Sequence, residues 1–144
     1  MKISSKSEYG VRALFELAQC YGQPPVQSGE IAERQNIPEA YLNQLLITLR
    51  KAGLIRSVRG PLGGHQLARL PAQVTLAEIV DALEGPTSSV DPIQGRLSHA
   101  APDPVVSTVW LAVQEAIDSV LGETTLETLL DRHRQHEAAL SFQI

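Results

Sequence analysis

The sequence predicts a mainly α-helical fold with one small β-hairpin. Apolar residues recur at helical spacing through much of the 144-residue chain, and one glycine-rich segment separates two short runs typical of strands. Pro38 and Pro104 stand where prolines commonly open helices. A chain of this length can bury a hydrophobic core of its own, and we divide it into residues 1–85, 86–103 and 104–144.

The first predicted helix covers residues 7–21. Its apolar positions repeat at helical spacing, and Gly22 followed by two prolines ends the pattern. Cys20 lies near its end. We interpret this residue as a small buried hydrophobe rather than a nucleophile, because no histidine is near it in the sequence.

Two more helices follow, separated by a short turn. Ser28 is expected to cap the first, GEIAERQ, and Pro38 opens the second, which Gly53 ends. The second has a stripe of apolar core positions: Leu42, Leu45, Leu46 and Leu49. A short helix, a turn and a longer helix with a basic end are typical of a helix-turn-helix, although such pairs also occur in ordinary protein cores.

A β-hairpin is predicted next, with strands at residues 54–58 and 65–68 and a glycine-rich loop at residues 59–64. Beside a helix-turn-helix, such a hairpin is a wing, and Arg59 at its start is placed to enter a DNA minor groove. The loop could also be a simple turn. It is not a phosphate-binding P-loop, because no Gly-Lys-Ser/Thr sequence follows.

The C-terminal half is predicted to be helical around one loop. Thr75 and Glu78 form a capping-box pattern before a fourth helix, which ends at Gly85. Residues 86–103 lack periodicity and are expected to form a sensing loop or a disordered segment. A long helix at residues 104–121 is broken by Gly122, and residues 124–127 cap a last helix.

The long helix carries an apolar face formed by Val105, Val109, Val113, Ala116, Ile117 and Val120. This stripe is too large for the surface of a monomer, so it predicts a dimerisation helix and a homodimer.

Charge is distributed unevenly along the chain. Residues 1–70 carry nine Lys and Arg against five Asp and Glu, whereas residues 71–144 carry three against eleven. The basic part is the candidate for contact with phosphate groups, although a solvated imbalance without a partner is also compatible with this count.

Composition also excludes several classes of protein. No uninterrupted apolar run approaches the roughly 18 residues that span a bilayer, and the N-terminus lacks the apolar region of a signal peptide. We therefore expect a cytoplasmic protein without a membrane partner. One cysteine and four histidines do not supply a catalytic set, so no enzyme is expected.

Four segments resemble the Rrf2 family of bacterial winged-helix regulators: KSEYGVRALFELA, GEIAERQNIPEAYLNQLL, LRKAGLIRSVRGPLGGHQLAR and VTLAEIVDALEG. The resemblance is strong over residues 1–85. Over the rest of the chain, only the order of the predicted helices and loop resembles the family. It implies a homodimer whose long helix crosses its twin, with two recognition helices and two wings reading a palindromic operator in double-stranded DNA. The acidic half would face away from the phosphates.

The resemblance also implies which residues bind DNA. These are Ala40, Tyr41, Asn43 and Gln44 on the recognition helix, Arg50 and Lys51 at its end, and Arg59 and Gly60 in the wing. An Asn43 amide can pair with the N6 and N7 atoms of adenine. Alternatives are a helix–helix contact for Tyr41 and stabilisation of the helix dipole for Arg50. The wing departs from the family pattern at Leu62, His65 and Gln66.

No cofactor or metal is expected. Cluster-binding relatives carry three cysteines in the loop before the long helix, and this loop has none. RLSHA resembles the family's CLTHA, so His99 occupies the position of a ligand histidine and is a candidate sensing residue; the alternative is a polar loop residue. His133 and His136 are too few for a zinc site.

Together these observations predict a sequence-specific DNA-binding transcriptional regulator, a homodimeric repressor without an iron–sulfur cluster. Its signal would be a small-molecule effector or a protein partner. The alternative is a protein-interaction regulator that acts through a partner enzyme, with DNA binding weak or secondary.

Overall fold

A computed structural model describes residues 4–85 and 104–142. Within them lie six α-helices and one two-stranded antiparallel sheet, which confirms the predicted fold class. The elements are α1 (Ser5–Gln19), α2 (Ser28–Gln35), α3 (Glu39–Lys51), β1 (Ile55–Val58), β2 (Gly64–Leu67), a 3-10 turn (Pro71–Gln73), α4 (Leu76–Glu84), α5 (Pro104–Glu123) and α6 (Leu126–Ser141).

Helix α1 is the centre of the core. It packs against α2, α3, α4, α6 and the second strand. The contact with α4 is close, because a Cβ atom added at Gly10 would lie 2.1 Å from Leu83 Cδ1. All four leucines of the predicted α3 stripe are buried, as expected.

The two strands pair with Ile55 opposite Leu67 and Val58 opposite Gly64. The wing is tied to the chain before α2 by two backbone bonds: Val26 N–H donates to His65 O at 3.0 Å and His65 N–H donates to Val26 O at 2.7 Å. Gly64 has φ +148°, and an added Cβ would lie 2.5 Å from Val26 O. This close approach requires glycine.

The predicted N-cap of α2 is wrong by one residue. Ser28 is already helical and Gln27 is the N-cap, with no side-chain capping bond. Pairing of Val26 with the wing holds the backbone extended through Gln27, so the helix begins directly after it. The Ser28 hydroxyl instead lies 3.5 Å from the Glu39 carboxylate.

The capping box predicted for α4 is half correct. The Thr75 hydroxyl accepts a hydrogen bond from Glu78 N–H at 3.2 Å. The Glu78 carboxylate does not complete the box, because it forms an ion pair with Arg69 at 2.6 Å. Gly85, with φ +85°, is the C-cap as predicted.

Two predicted boundaries in the C-terminal half are corrected. Gly122 does not break α5, which continues to Glu123, since an exposed glycine in a helix costs only about 1 kcal/mol. The last helix begins at Leu126 with Thr125 as its N-cap, and Thr128 completes the capping box. A backbone bridge explains the shift: Leu126 N–H donates to Val74 O at 3.0 Å, and Thr125 is extended where it pairs with Thr75.

This bridge brings α6 onto the N-terminal part of the fold. Leu126 and Leu130 are buried in the same core as the residues of α1–α4. Helix α5 packs on α4 and exposes much of its apolar face, with Val105 66%, Val109 56% and Val120 61% exposed.

Helix α5 also meets the length and composition expected of a membrane-spanning helix, and among the described residues it is the one helix that does. Uninterrupted apolar runs, on which the expectation from the sequence was based, do not reveal this property. The mean hydropathy of α5 is high although the helix contains isolated charged residues such as Glu115 and Asp118.

Candidate nucleic-acid interface

One face of α3 is exposed along its whole length. It carries Ala40, Asn43, Gln44 and Ile47, which lie three and four residues apart, and it leads to Arg50 and Lys51 at the C-terminal end. Within residues 4–85 and 104–142, the side-chain amides of Asn43 and Gln44 form no hydrogen bond. These amides are therefore available to a partner outside the chain.

Tyr41 is placed differently from its neighbours. Its ring is half-buried and meets the ring of Tyr9 on α1 edge to face, with 5.6 Å between centroids. The Arg12 guanidinium lies 4.7 Å from the centre of the Tyr9 ring. The helix–helix contact that the sequence left open is thus present, and contact of Tyr41 with DNA stays a prediction.

The start of α3 is held in place through α2. Arg12 donates a hydrogen bond to the backbone oxygen of Gln35, the last residue of α2, at 3.0 Å. Buried Glu16 accepts from Arg34 at 3.0 Å and from the Gln35 side chain at 2.9 Å. The bond to Glu16 is the main cause that raises the pKa of Arg34. Sequence reasoning missed this network, since only the fold brings α1 and α2 together.

The wing turn is compact and projects its tip into solvent. Gly63 N–H donates to Gly60 O at 2.9 Å, and a Cβ added at Gly63 would lie 2.1 Å from Val58 O. Gly60 itself has φ +108°. Arg59, Gly60, Pro61 and Leu62 are all exposed as a result.

His65 lies on the second strand of the wing, where the charge of Arg50 at the end of α3 acts on it. Its Nδ1 atom lies 2.9 Å from the Ser57 hydroxyl on the opposite strand. Burial, together with the nearby Arg50 guanidinium, lowers the pKa of His65 below its ordinary value. Sequence reasoning missed the Ser57–His65 pair, because the hairpin register depends on the geometry of the turn, which the loop composition alone does not fix.

The described basic residues differ in whether they form an ion pair; Lys6 and Arg132, which lie outside the two sets below, form none. Arg12, Arg34, Arg69 and Arg134 each form an ion pair with a carboxylate. In the described part of the chain, no ion pair involves the exposed residues Arg50, Lys51, Arg56 or Arg59. We call these four residues the basic rim; they leave positive charge unneutralised at the end of α3 and on the wing.

Other sequence candidates do not join this surface. His99 lies outside the described residues. His133 on α6 packs edge to face on Phe15 and pairs with Glu137 at 3.2 Å. Cys20 is half-buried against the core, 3.9 Å from the Arg34 guanidinium. Over residues 4–85 and 104–142, no three His, Cys, Asp or Glu side chains form a metal-binding group.

Comparison with known proteins finds relatives along nearly the whole chain. The Rrf2 family, described as an iron-dependent transcriptional regulator, matches residues 3–132. The HTH-type transcriptional regulator CymR of Bacillus subtilis is 37% identical over 144 residues, which is 100% of this chain and 100% of that protein.

Solved structures show the same similarity. The structure of CymR, the global cysteine regulator of B. subtilis, matches with a TM-score of 0.80 at 36% identity, covering 92% of this chain and 98% of that one. IscR of T. potens matches with a TM-score of 0.76 at 41% identity, covering 92% and 88%.

Proposed function

The chain belongs to the Rrf2 family of transcriptional regulators, which are not enzymes, and from this premise we propose that it is a homodimeric repressor of operator DNA that carries no iron–sulfur cluster. The observation that carries the proposal is the position of the exposed amides of α3 beside the basic rim. A polar helix face flanked by unpaired cations has the chemistry that a DNA groove and its phosphates require.

In the proposed complex, α3 lies in the major groove and the wing lies at the neighbouring minor groove and its phosphate backbone. Asn43 reads adenine through a donor and an acceptor on its amide, and Gln44 contacts an adjacent base. Arg50, Lys51 and Arg59 contact phosphates, and Gly60 lets the wing backbone approach closely. Ala40 is small enough to let the start of α3 enter the groove.

The proposed homodimer depends on α5. Its exposed valines and the exposed Trp110 form an apolar face that a second copy would cover. A two-fold dimer presents two copies of α3 and therefore fits a palindromic operator. By its length and composition, α5 could also enter a membrane; a stable dimer in detergent-free solution would argue against this.

The family description names iron, but the donor atoms of this chain do not fit an iron–sulfur cluster. Such clusters are held by several cysteine thiolates, and this chain has one cysteine, Cys20, which lies near the end of α1 against the core. The signal we propose is a small molecule or a protein partner that acts near residues 86–103, the segment that contains His99.

Selection of duplexes from a random-sequence library by the purified chain tests the function. We expect enrichment of one palindromic sequence and a steep loss of affinity with rising salt. Repression is tested by placing the enriched sequence at the promoter of a reporter gene. The alternative of a protein-interaction regulator predicts no enriched sequence, and the basic rim argues against it.

A further inference from the structure

The tip of the wing is apolar, although the rest of the wing is basic. Leu62 is 90% exposed, and its neighbours Val58 and Pro61 are exposed as well. Arg56 and Arg59 of the basic rim lie on the same hairpin. Single exposed leucines are common on protein surfaces, so exposure alone does not assign a role to Leu62.

What distinguishes Leu62 is the rigidity of its support. The turn on which it sits is closed by the bond from Gly63 N–H to Gly60 O, with no room for a side chain at Gly63. The Gln27 side chain donates to Pro61 O at 3.5 Å, which links the tip to the start of α2. The leucine is therefore presented on a turn that these bonds brace, at the end of a hairpin whose first strand packs on α3.

We propose that Leu62 is an apolar wedge that enters the minor groove next to the recognition helix and partly unstacks one pyrimidine–purine step. This inference rests on the proposed function. Leucine and proline side chains at the tip of a basic element can insert between base pairs while the neighbouring cations hold the phosphates. Pyrimidine–purine steps unstack most easily, so the wedge would add specificity at a position that no polar side chain reads.

The test uses the duplex selected by the wild-type full-length chain, with 2-aminopurine placed in turn at each adenine outside the contact of α3. The variants are Leu62→Ala, the bulky replacement Leu62→Met, and Leu140→Ala as a matched leucine truncation on α6, where Leu140 is 50% exposed. Thermal melting checks each variant for folding. Because Leu62 is almost fully exposed, we expect both of its variants to melt at the wild-type temperature.

We expect wild type to raise 2-aminopurine fluorescence at one pyrimidine–purine step in each half-site. Leu62→Ala should abolish that rise and weaken binding about five- to tenfold without changing the salt dependence, whereas Leu62→Met and Leu140→Ala should behave as wild type. Equal affinity and equal fluorescence for Leu62→Ala would overturn the wedge and leave the proposed function standing. Loss of affinity without any fluorescence rise in wild type would also overturn it. If wild type selects no duplex, both proposals fail.

Discussion

Nη1 of Arg34 lies 3.0 Å from Oε1 of Glu16, whose side chain is only 7% exposed. This bond joins α2 to α1 close to the turn that precedes α3. Gln35 donates to the other oxygen of the same carboxylate at 2.9 Å. Through these two bonds, one buried carboxylate of α1 holds the C-terminal end of α2, which leads into α3.

Glu16→Gln should lower the free energy of unfolding by about 1–3 kcal/mol, because one charged acceptor is lost and an amide N–H₂ group faces a donor. Urea denaturation measures this change. Asp131→Asn is the matched control, since exposed Asp131 pairs with exposed Arg134 on α6, and we expect a change below about 0.5 kcal/mol. Equal effects of the two variants would show that the buried network is not a structural support.

His65 should make stability depend on pH. Burial and, secondly, Arg50 lower its folded-state pKa below the ordinary value of 6.5, so the unfolded chain takes up a proton first as pH falls. The contribution of His65 is fully present above pH 6.5 and is lost as pH falls toward and through the folded pKa. Urea denaturation between pH 8 and pH 5 should show a steeper loss for wild type than for His65→Gln. Parallel curves would contradict this prediction.

Val109→Glu should dissociate the proposed dimer. Val109 is 56% exposed on the apolar face of α5, and a carboxylate there would be buried without a partner in the dimer. Sedimentation velocity should show a monomer for this variant and a dimer for wild type. Ala139→Glu adds the same charge to an exposed position of α6 and should leave the dimer intact. An unaltered dimer for Val109→Glu would remove α5 from the interface.

Periodicity predicted the parts of the fold that depend on local pattern. The leucine stripe of α3 is buried because a 3.6-residue period fixes which face meets the core. The same period leaves Asn43 and Gln44 exposed, and the family resemblance proposes their contact with DNA. These residues were accessible to sequence reasoning without any tertiary information.

Two errors in the predicted helix starts arise where distant backbone segments pair. Val26 meets His65, which moves the start of α2, and Val74 meets Leu126, which moves the start of α6. A capping pattern within one segment cannot reveal such pairs. For the same reason the Ser57–His65 contact and the Glu16–Arg34 bond were not predicted, since each depends on how two elements are placed in space.

The central proposal is that α3 reads bases while the wing anchors the backbone. Asn43→Ala and Arg59→Ala separate these roles, because a base-reading amide and a phosphate-binding guanidinium respond differently to DNA sequence and to salt. Arg59→Ala should weaken binding to all duplexes and reduce the salt dependence by about one charge.

The most direct measurement is the affinity of Asn43→Ala for the selected duplex and for a set of duplexes with single substitutions at its adenines. We expect a loss of about 1–3 kcal/mol on the selected duplex and little further loss on the duplex in which the adenine read by Asn43 has been replaced. Equal weakening on every duplex would contradict the proposal that α3 reads the operator through Asn43.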